Sequence, residues 1–228
     1  MLPVGSIGLC AGNYMAACHS YEIEFFGKTA HATKPHTGSD ALAMAVKAYQ
    51  DIYLMDARIA PPLEKHTISI GSLQADTTHN VVPDYSRMML CVRYFDREFD
   101  AVLEEKIKQI CHNSAAEMGG NCKVNDPFKG AAVINDPKLT SILKKSAEAV
   151  VHPENVYEID PVLSSEDFSN YLKTVPGVMF RLGTGNPAKC CTADLHNNDF
   201  CIDEDALSIG SKVFVQLIID LCKENDPL

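Results

Sequence analysis

The segment His19-Ser20-Tyr21-Glu22-Ile23-Glu24-Phe25-Phe26 alternates with a period of two. Tyr21, Ile23 and Phe25 fall on one side and Glu22 and Glu24 on the other, which predicts a strand with one wet face. Working outward, Leu42, Ala45, Val46, Tyr49, Ile52 and Tyr53 recur at helical spacing, with Ser39 or Asp40 able to cap the start. Short strands are expected near His66 to Leu73 and from Arg87 to Phe95. Asp96 then opens a helix whose stripe is Phe99, Val102, Leu103, Ile107 and Ile110, stopped by Gly119-Gly120. A strand near Cys122 to Asn125 completes the order β-α-β-β-α-β, a ferredoxin-like arrangement of one antiparallel sheet with two helices on one face.

Beyond Pro127 the pattern changes. Asp136-Pro137 is a cap followed by Pro at the first helical position, and Leu139, Ile142, Leu143 and Val150 supply the stripe. A short helix is expected near Ser165, a buried strand over Gly177 to Leu182, and a last helix from Asp203 to Cys222. These strands are too few to form a sheet alone, so they need partner strands that this chain lacks, unless its first 16 residues or a second chain supply them. The predicted domains are therefore 1–16, 17–128 and 129–228.

At 228 residues, with 46% apolar and 22% charged residues, the chain is ordinary globular material. A net charge of −10 excludes a broad nucleic-acid-binding surface. Nine cysteines are an odd number, and Cys91, Cys111, Cys122 and Cys222 sit in apolar-periodic segments, so free thiols in a reducing, cytoplasmic compartment are expected. Adjacent Cys190 and Cys191 lack the two-residue gap of a redox or zinc motif. The N-terminus has no basic region and is broken by Pro3, Gly5 and Gly8, so it is no signal peptide. No apolar run approaches the roughly 20 residues of a membrane span. The chain instead begins like the middle of a fold, which suggests N-terminal truncation.

Several polar residues could carry chemistry. His31 and His36 lie in a loop, and their spacing, interrupted by Pro35, does not make a local two-histidine metal site. His31 either stabilises the loop or donates to a substrate carbonyl. Asn80 either closes a turn or points its amide at a ligand. Met88, Leu90, Val92 and Tyr94 share the core face of their strand, so Arg93 projects from the opposite face. There it is either a surface arginine or a two-pronged grip for a carboxylate. Glu166 and Asp167 flank the expected helix start, where capping explains at least one of them. His196 is a single potential metal ligand in a polar loop.

Leu2-Pro3-Val4-Gly5, Gly27 to His36, Asn80-Val81-Val82-Pro83, Val92 to Asp96, Ser165 to Phe168, Leu182 to Asn186 and Leu195-His196 come in a telling order. Together they resemble the dinuclear metal-dependent amidohydrolase family of aminoacylase, carboxypeptidase G and hippurate hydrolase, with the hippurate and auxin-conjugate hydrolase branch most similar. The resemblance implies an α/β plus α+β fold, in which a ferredoxin-like βαββαβ lid is inserted in an α/β hydrolase domain that is incomplete here. It implies hydrolysis of amide bonds in N-acyl amino acids, two divalent ions (zinc, manganese, cobalt or nickel) in the complete enzyme, and a homodimer formed through the lid. It further implies His196 as a metal ligand, His31 as the catalytic donor to the scissile carbonyl, Asn80 and Arg93 as substrate-binding residues, and Glu166 as an acidic residue near the cleft without an assigned role. The family's remaining metal ligands and general base precede the Leu-Pro-Val-Gly stretch, so the isolated chain is expected to be inactive. His79 and the Pro187 to Asp194 loop depart from the family pattern. Two other readings are a non-catalytic binding or dimerisation module for amino-acid conjugates and a truncated product without activity.

Overall fold

The structure is a computed structural model that describes residues 2–224. In chain order its elements are β1 (Ile7–Leu9), β2 (Gly12–Met15), β3 (Ala17–Phe26), β4 (Ala30–His31), α1 (Ala41–Ile59), β5 (Thr67–Gln74), β6 (Val81–Val82), β7 (Tyr85–Tyr94) and α2 (Arg97–Glu117). There follow β8 (Asn121–Gly130), β9 (Val133–Asn135), α3 (Pro137–Val151), β10 (Val156–Glu158), α4 (Ser169–Leu172), β11 (Arg181–Leu182) and α5 (Asp205–Glu224). They form two compact units, one of residues 1–15, 133–162 and 167–228, the other of residues 16–132 and 163–166.

In the second unit the order β5-β7-β3-β8 makes one antiparallel sheet. Tyr21, Ile23 and Phe25 of β3 and Met88, Leu90 and Val92 of β7 are buried against Met44, Ile52, Leu103 and Ile107 of the helices. Each such side chain contributes about 1.5–3 kcal/mol by leaving water. Asp40 caps α1 through the Ala43 amide and Asp96 caps α2 through the Glu98 amide. Gly119, at φ +70°, ends α2 in the left-handed conformation.

The buried stripe of α1 differs from the expected one. Ala41, Met44, Ala45, Ala48 and Ile52 face the sheet, while Val46, Tyr49 and Tyr53 stay at the surface. Three alanines let the helix lie close to the strands and turn its bulky residues outward. Val102 of α2 is likewise exposed. β8 runs on through Pro127, because it is an edge strand whose register with β3 shifts between Ser20 and Glu22, so the proline, which has no N–H, sits where the ladder needs no donor.

In the first unit, β1 pairs with β10 in parallel and with β11 antiparallel, and β2 pairs with β9. The first residues of the chain thus supply the partner strands. Ile7, Leu9, Leu143, Ala147, Val151 and Val213 form the core between β1, α3 and α5. The Gly177 to Leu182 stretch makes a ladder only at β11. Buried Asn135 instead accepts from the Met179 amide and donates to the Met179 and Cys10 carbonyls, each at 2.8 Å. The short helix expected near Ser165 begins only at Ser169. Upstream, the Ser164 carbonyl accepts from the Ala16 amide at 2.9 Å, which holds that segment extended. The last helix starts at Asp205, because the Asp203 carboxylate accepts from the Asp205 amide ahead of the first turn. Among the described residues no disulfide forms, and Cys222, expected in an apolar stripe, is exposed. Among the described residues no helix is long and apolar enough to cross a membrane.

Candidate active site

At the end of β3 the chain turns at Gly27, where a Cβ would stand 2.0 Å from the Ser39 carbonyl oxygen. Only glycine lets the two backbones approach so closely. The base of the loop is tied by the Gly27 amide to the Asp84 carbonyl at 2.7 Å and by the Thr29 hydroxyl to the Asp84 carboxylate at 2.8 Å. The loop then pairs with β6, His31 facing Val81, and the Ala32 amide donates to the Asn80 carbonyl at 3.0 Å. His31 and Asn80 are thereby brought side by side, both exposed.

The His31 ring has a defined direction. Its Nδ1 accepts from the Thr33 amide at 3.2 Å and lies 2.9 Å from the Thr33 hydroxyl. A nitrogen that accepts from a backbone N–H carries no proton itself, so the neutral imidazole is protonated at Nε2 and offers a donor outward. Asn80 closes its turn. Its Oδ1 accepts from the Thr78 hydroxyl at 2.8 Å within the turn, which leaves the amide N–H groups to point elsewhere. His36, on the following turn, is exposed.

Arg93 projects from the face of β7 opposite the core, and it is anchored. Its Nη1 donates to the Ser165 hydroxyl at 2.7 Å. Ser165 carries no signal of this in the sequence, since it comes from a distant segment. Half-buried Glu166 follows it in the same stretch. His31, Asn80, Arg93 and Glu166 thus all belong to one unit.

His196 belongs to the other unit. It is exposed, its φ is +67°, and among the described residues nothing hydrogen-bonds its ring. A non-glycine residue held in that conformation marks a locally strained turn. The loop before it is fixed by Lys189, which reaches Asp203 at 2.6 Å and Asp205 at 2.9 Å. The Lys189 ammonium, and after it the Asn186 amide, hold the Asp203 carboxyl down at about 2. A free imidazole on a braced loop suits a metal ligand.

One further group escaped the sequence reading. His19, Asp100 and Glu104 gather ligand atoms within 4.8 Å of one another, the one such trio of metal-capable side chains among the described residues. His19 Nδ1 lies 3.1 Å from Asp100 and 2.8 Å from the Tyr21 hydroxyl, while its Nε2 is buried without a hydrogen bond. Lys129 sits against both carboxylates, at 2.8 Å and 2.9 Å. That ammonium supplies the charge a metal would bring, so the group is a structural network. His19 on the apolar side of β3, with Asp100 and Glu104 four apart on α2, was the signal that could have revealed it. A cleft of about 360 Å³ lies elsewhere, between Leu9, Thr140, Lys144 and Tyr157, and holds none of the candidate residues.

The chain is a mixed α/β protein of two compact units. The structure is similar to a putative aminohydrolase from methicillin-resistant Staphylococcus aureus, with a TM-score of 0.82 and 22% identity over 96% of this chain and 56% of that one. It is also similar to the YXEP protein of Bacillus subtilis, described as a dinuclear metal binding peptidase, with a TM-score of 0.77 and 25% identity over 96% of this chain and 54% of that one. Residues 53–220 match peptidase family M20/M25/M40, and the chain belongs to that family. It is 30% identical to thermostable carboxypeptidase 2 of Saccharolobus solfataricus over 95% of its own length and 55% of that protein's. It is 29% identical to N-acetylcysteine deacetylase of Bacillus subtilis over 96% and 56%. The chain thus spans a little more than half the length of these relatives.

Proposed function

We propose that this chain is part of a metal-dependent amidohydrolase that cleaves the amide bond of N-acyl amino acids or related conjugates. The observation that carries the reading is the His31 imidazole, whose Nδ1 is occupied by the Thr33 amide so that Nε2 carries the donor on an exposed ring. Among the relatives, one is named a carboxypeptidase and another a deacetylase of an N-acetyl amino acid. The substrate class fits both.

Two divalent cations supply, when bound, Lewis acidity at the scissile carbonyl and a water of lowered pKa. Zinc, manganese, cobalt and nickel all suit imidazole and carboxylate donors. His196 gives one donor. It belongs to no trio of metal-capable side chains among the described residues, so the isolated chain is expected to hold catalytic metal weakly and to turn over nothing. His31 Nε2–H donates to the carbonyl oxygen as negative charge gathers there, an interaction worth roughly 3 kcal/mol in the transition state. Arg93, pre-oriented by Ser165, binds the free carboxylate of the amino acid and sets the register of the amide. Asn80 donates to the substrate from the adjoining turn. Glu166 stands in the segment that carries Ser165 and has no assigned step.

In this reading residues 17–128 form a ferredoxin-like lid domain, and residues 1–16 and 129–228 belong to the α/β domain. The lid also joins two copies into a homodimer, with exposed Tyr49, Tyr53 and Leu54 of α1 available for contact. Supporting the lid topology are the order β5-β7-β3-β8 and the two crossing helices. The decisive experiment is hydrolysis of N-acetyl amino acids by the complete, metal-loaded enzyme of which this chain is proposed to be a part. The expected result is turnover abolished by a chelator and restored by divalent metal. Turnover that survives metal removal would overturn the proposal.

A further inference from the structure

Two thiols lie on the open face of the β3–β7 sheet. Cys18 faces Arg93 directly across the ladder, and Cys91 faces Ser20. Their sulfurs are 3.5 Å apart, with the Ser20 hydroxyl 3.9 Å from Cys18. Cys18 is buried and Cys91 half-buried, so the pair is reached from the Cys91 side. Burial and then the neighbouring Cys91 push the Cys18 thiol up, whereas the Arg93 guanidinium favours its thiolate.

A disulfide is poorly served by this placement. The two residues are diagonal neighbours in the register, and diagonal pairs on an antiparallel sheet stand about 7–8 Å apart, beyond the usual span of a disulfide. Forming a bond of about 2 Å would require the ladder itself to shift. A chelate asks much less. Thiolates around a tetrahedral ion with metal–sulfur bonds of about 2.3 Å stand about 3.8 Å apart, only a few tenths of an ångström beyond the observed separation.

We propose that Cys18 and Cys91 form a two-thiol site for a thiophilic divalent cation of the zinc and cadmium class, next to Arg93. On binding, both thiols lose their protons, two metal–sulfur bonds form and two protons go to solvent. The ion also removes the repulsion that two adjacent thiolates would otherwise suffer. The site differs from the His196 position both in its soft donors and in its place on the lid-type sheet. If Arg93 grips the substrate carboxylate, an ion held across the ladder from it makes the site inhibitory. That consequence alone rests on the function proposed above.

The test is direct binding to the full chain under reducing conditions, independent of any activity. Cadmium is titrated while iodoacetamide alkylation of each cysteine is mapped by mass spectrometry. With free cadmium at about ten times its Kd, alkylation of Cys18 and Cys91 is expected to slow together by about ten-fold. In Cys91→Ala, protection of Cys18 is lost, and in Cys18→Ala, protection of Cys91 is lost. The double variant lacks the same single equivalent of cadmium as either single variant. Unchanged alkylation of both residues in the wild-type chain, which needs no variant to fold, would overturn the proposal. So would protection of one cysteine without the other, or a Cys18–Cys91 disulfide as the only product under mild oxidation.

Discussion

Removing the carboxylate at position 100 tests the buried network most sharply. Asp100 lies at the first turn of α2 with its side chain 3% exposed, 3.1 Å from His19 Nδ1 and 2.8 Å from the Lys129 ammonium. Asp100→Ala leaves the fully buried imidazole with only the more distant Asp126 carboxylate, 4.0 Å from Nε2, and hydrogen bonds to a charged group are worth about 1.5–3 kcal/mol each. Lys129 is nearly half exposed and regains water, so its share is small. The expected loss is about 2–4 kcal/mol. With an m-value of about 2 kcal/mol per molar urea, the midpoint falls by about 1–2 M. Unfolding is followed by far-UV circular dichroism and tyrosine fluorescence, the chain having no tryptophan. Glu105→Ala, at an exposed position on the same helix, serves as the control and shifts stability by about 0.5 kcal/mol or less. An Asp100→Ala loss no larger than that of the control would refute the reasoning.

The other expectations divide between chemistry and pH. In the metal-loaded enzyme His31→Ala lowers kcat by about 10²–10³ with little change in KM, and a rise in KM alone would contradict the oxyanion role. Arg93→Met raises KM about ten- to a hundred-fold for N-acyl amino acids and leaves the matching carboxamides unaffected, as measured by steady-state kinetics on both series. Asp203 is held at about 2 in the folded chain, below an ordinary carboxylate, so its stabilising effect is complete above about pH 4 and is lost as pH falls toward 2. Lys189→Met brings the Asp203 pKa back toward the ordinary range, and acid titration of thermal stability should then show a shallower decline over that interval.

Much of the sheet unit was legible because its strands have one apolar face. The alternation at Tyr21, Ile23 and Phe25 and at Met88, Leu90 and Val92 marks both sides of β3 and β7, and it placed Arg93 on the open face. The rotated stripe of α1 was not legible, because Ala41, Ala45 and Ala48 carry too little apolar weight to announce a buried face beside two tyrosines. In the other unit, three-residue strands such as β9 and β10 are shorter than any periodicity can show. A side chain, Asn135, does there what a ladder does elsewhere. Within the site, motif matches singled out His31, Asn80 and Arg93. The Ser165 anchor of Arg93 comes from a segment remote in sequence, and the tautomer of His31 is set by Thr33 through a loop geometry that no periodicity shows.

The central claim is that His196 helps hold a metal pair on which hydrolysis depends. It is tested by measuring bound divalent metal and N-acetyl amino acid turnover together, in natively expressed protein and in its His196→Ala variant. The account predicts about two equivalents of metal in the native protein, and loss of both metal and turnover in the variant. A variant that keeps its full metal content and its rate would contradict it.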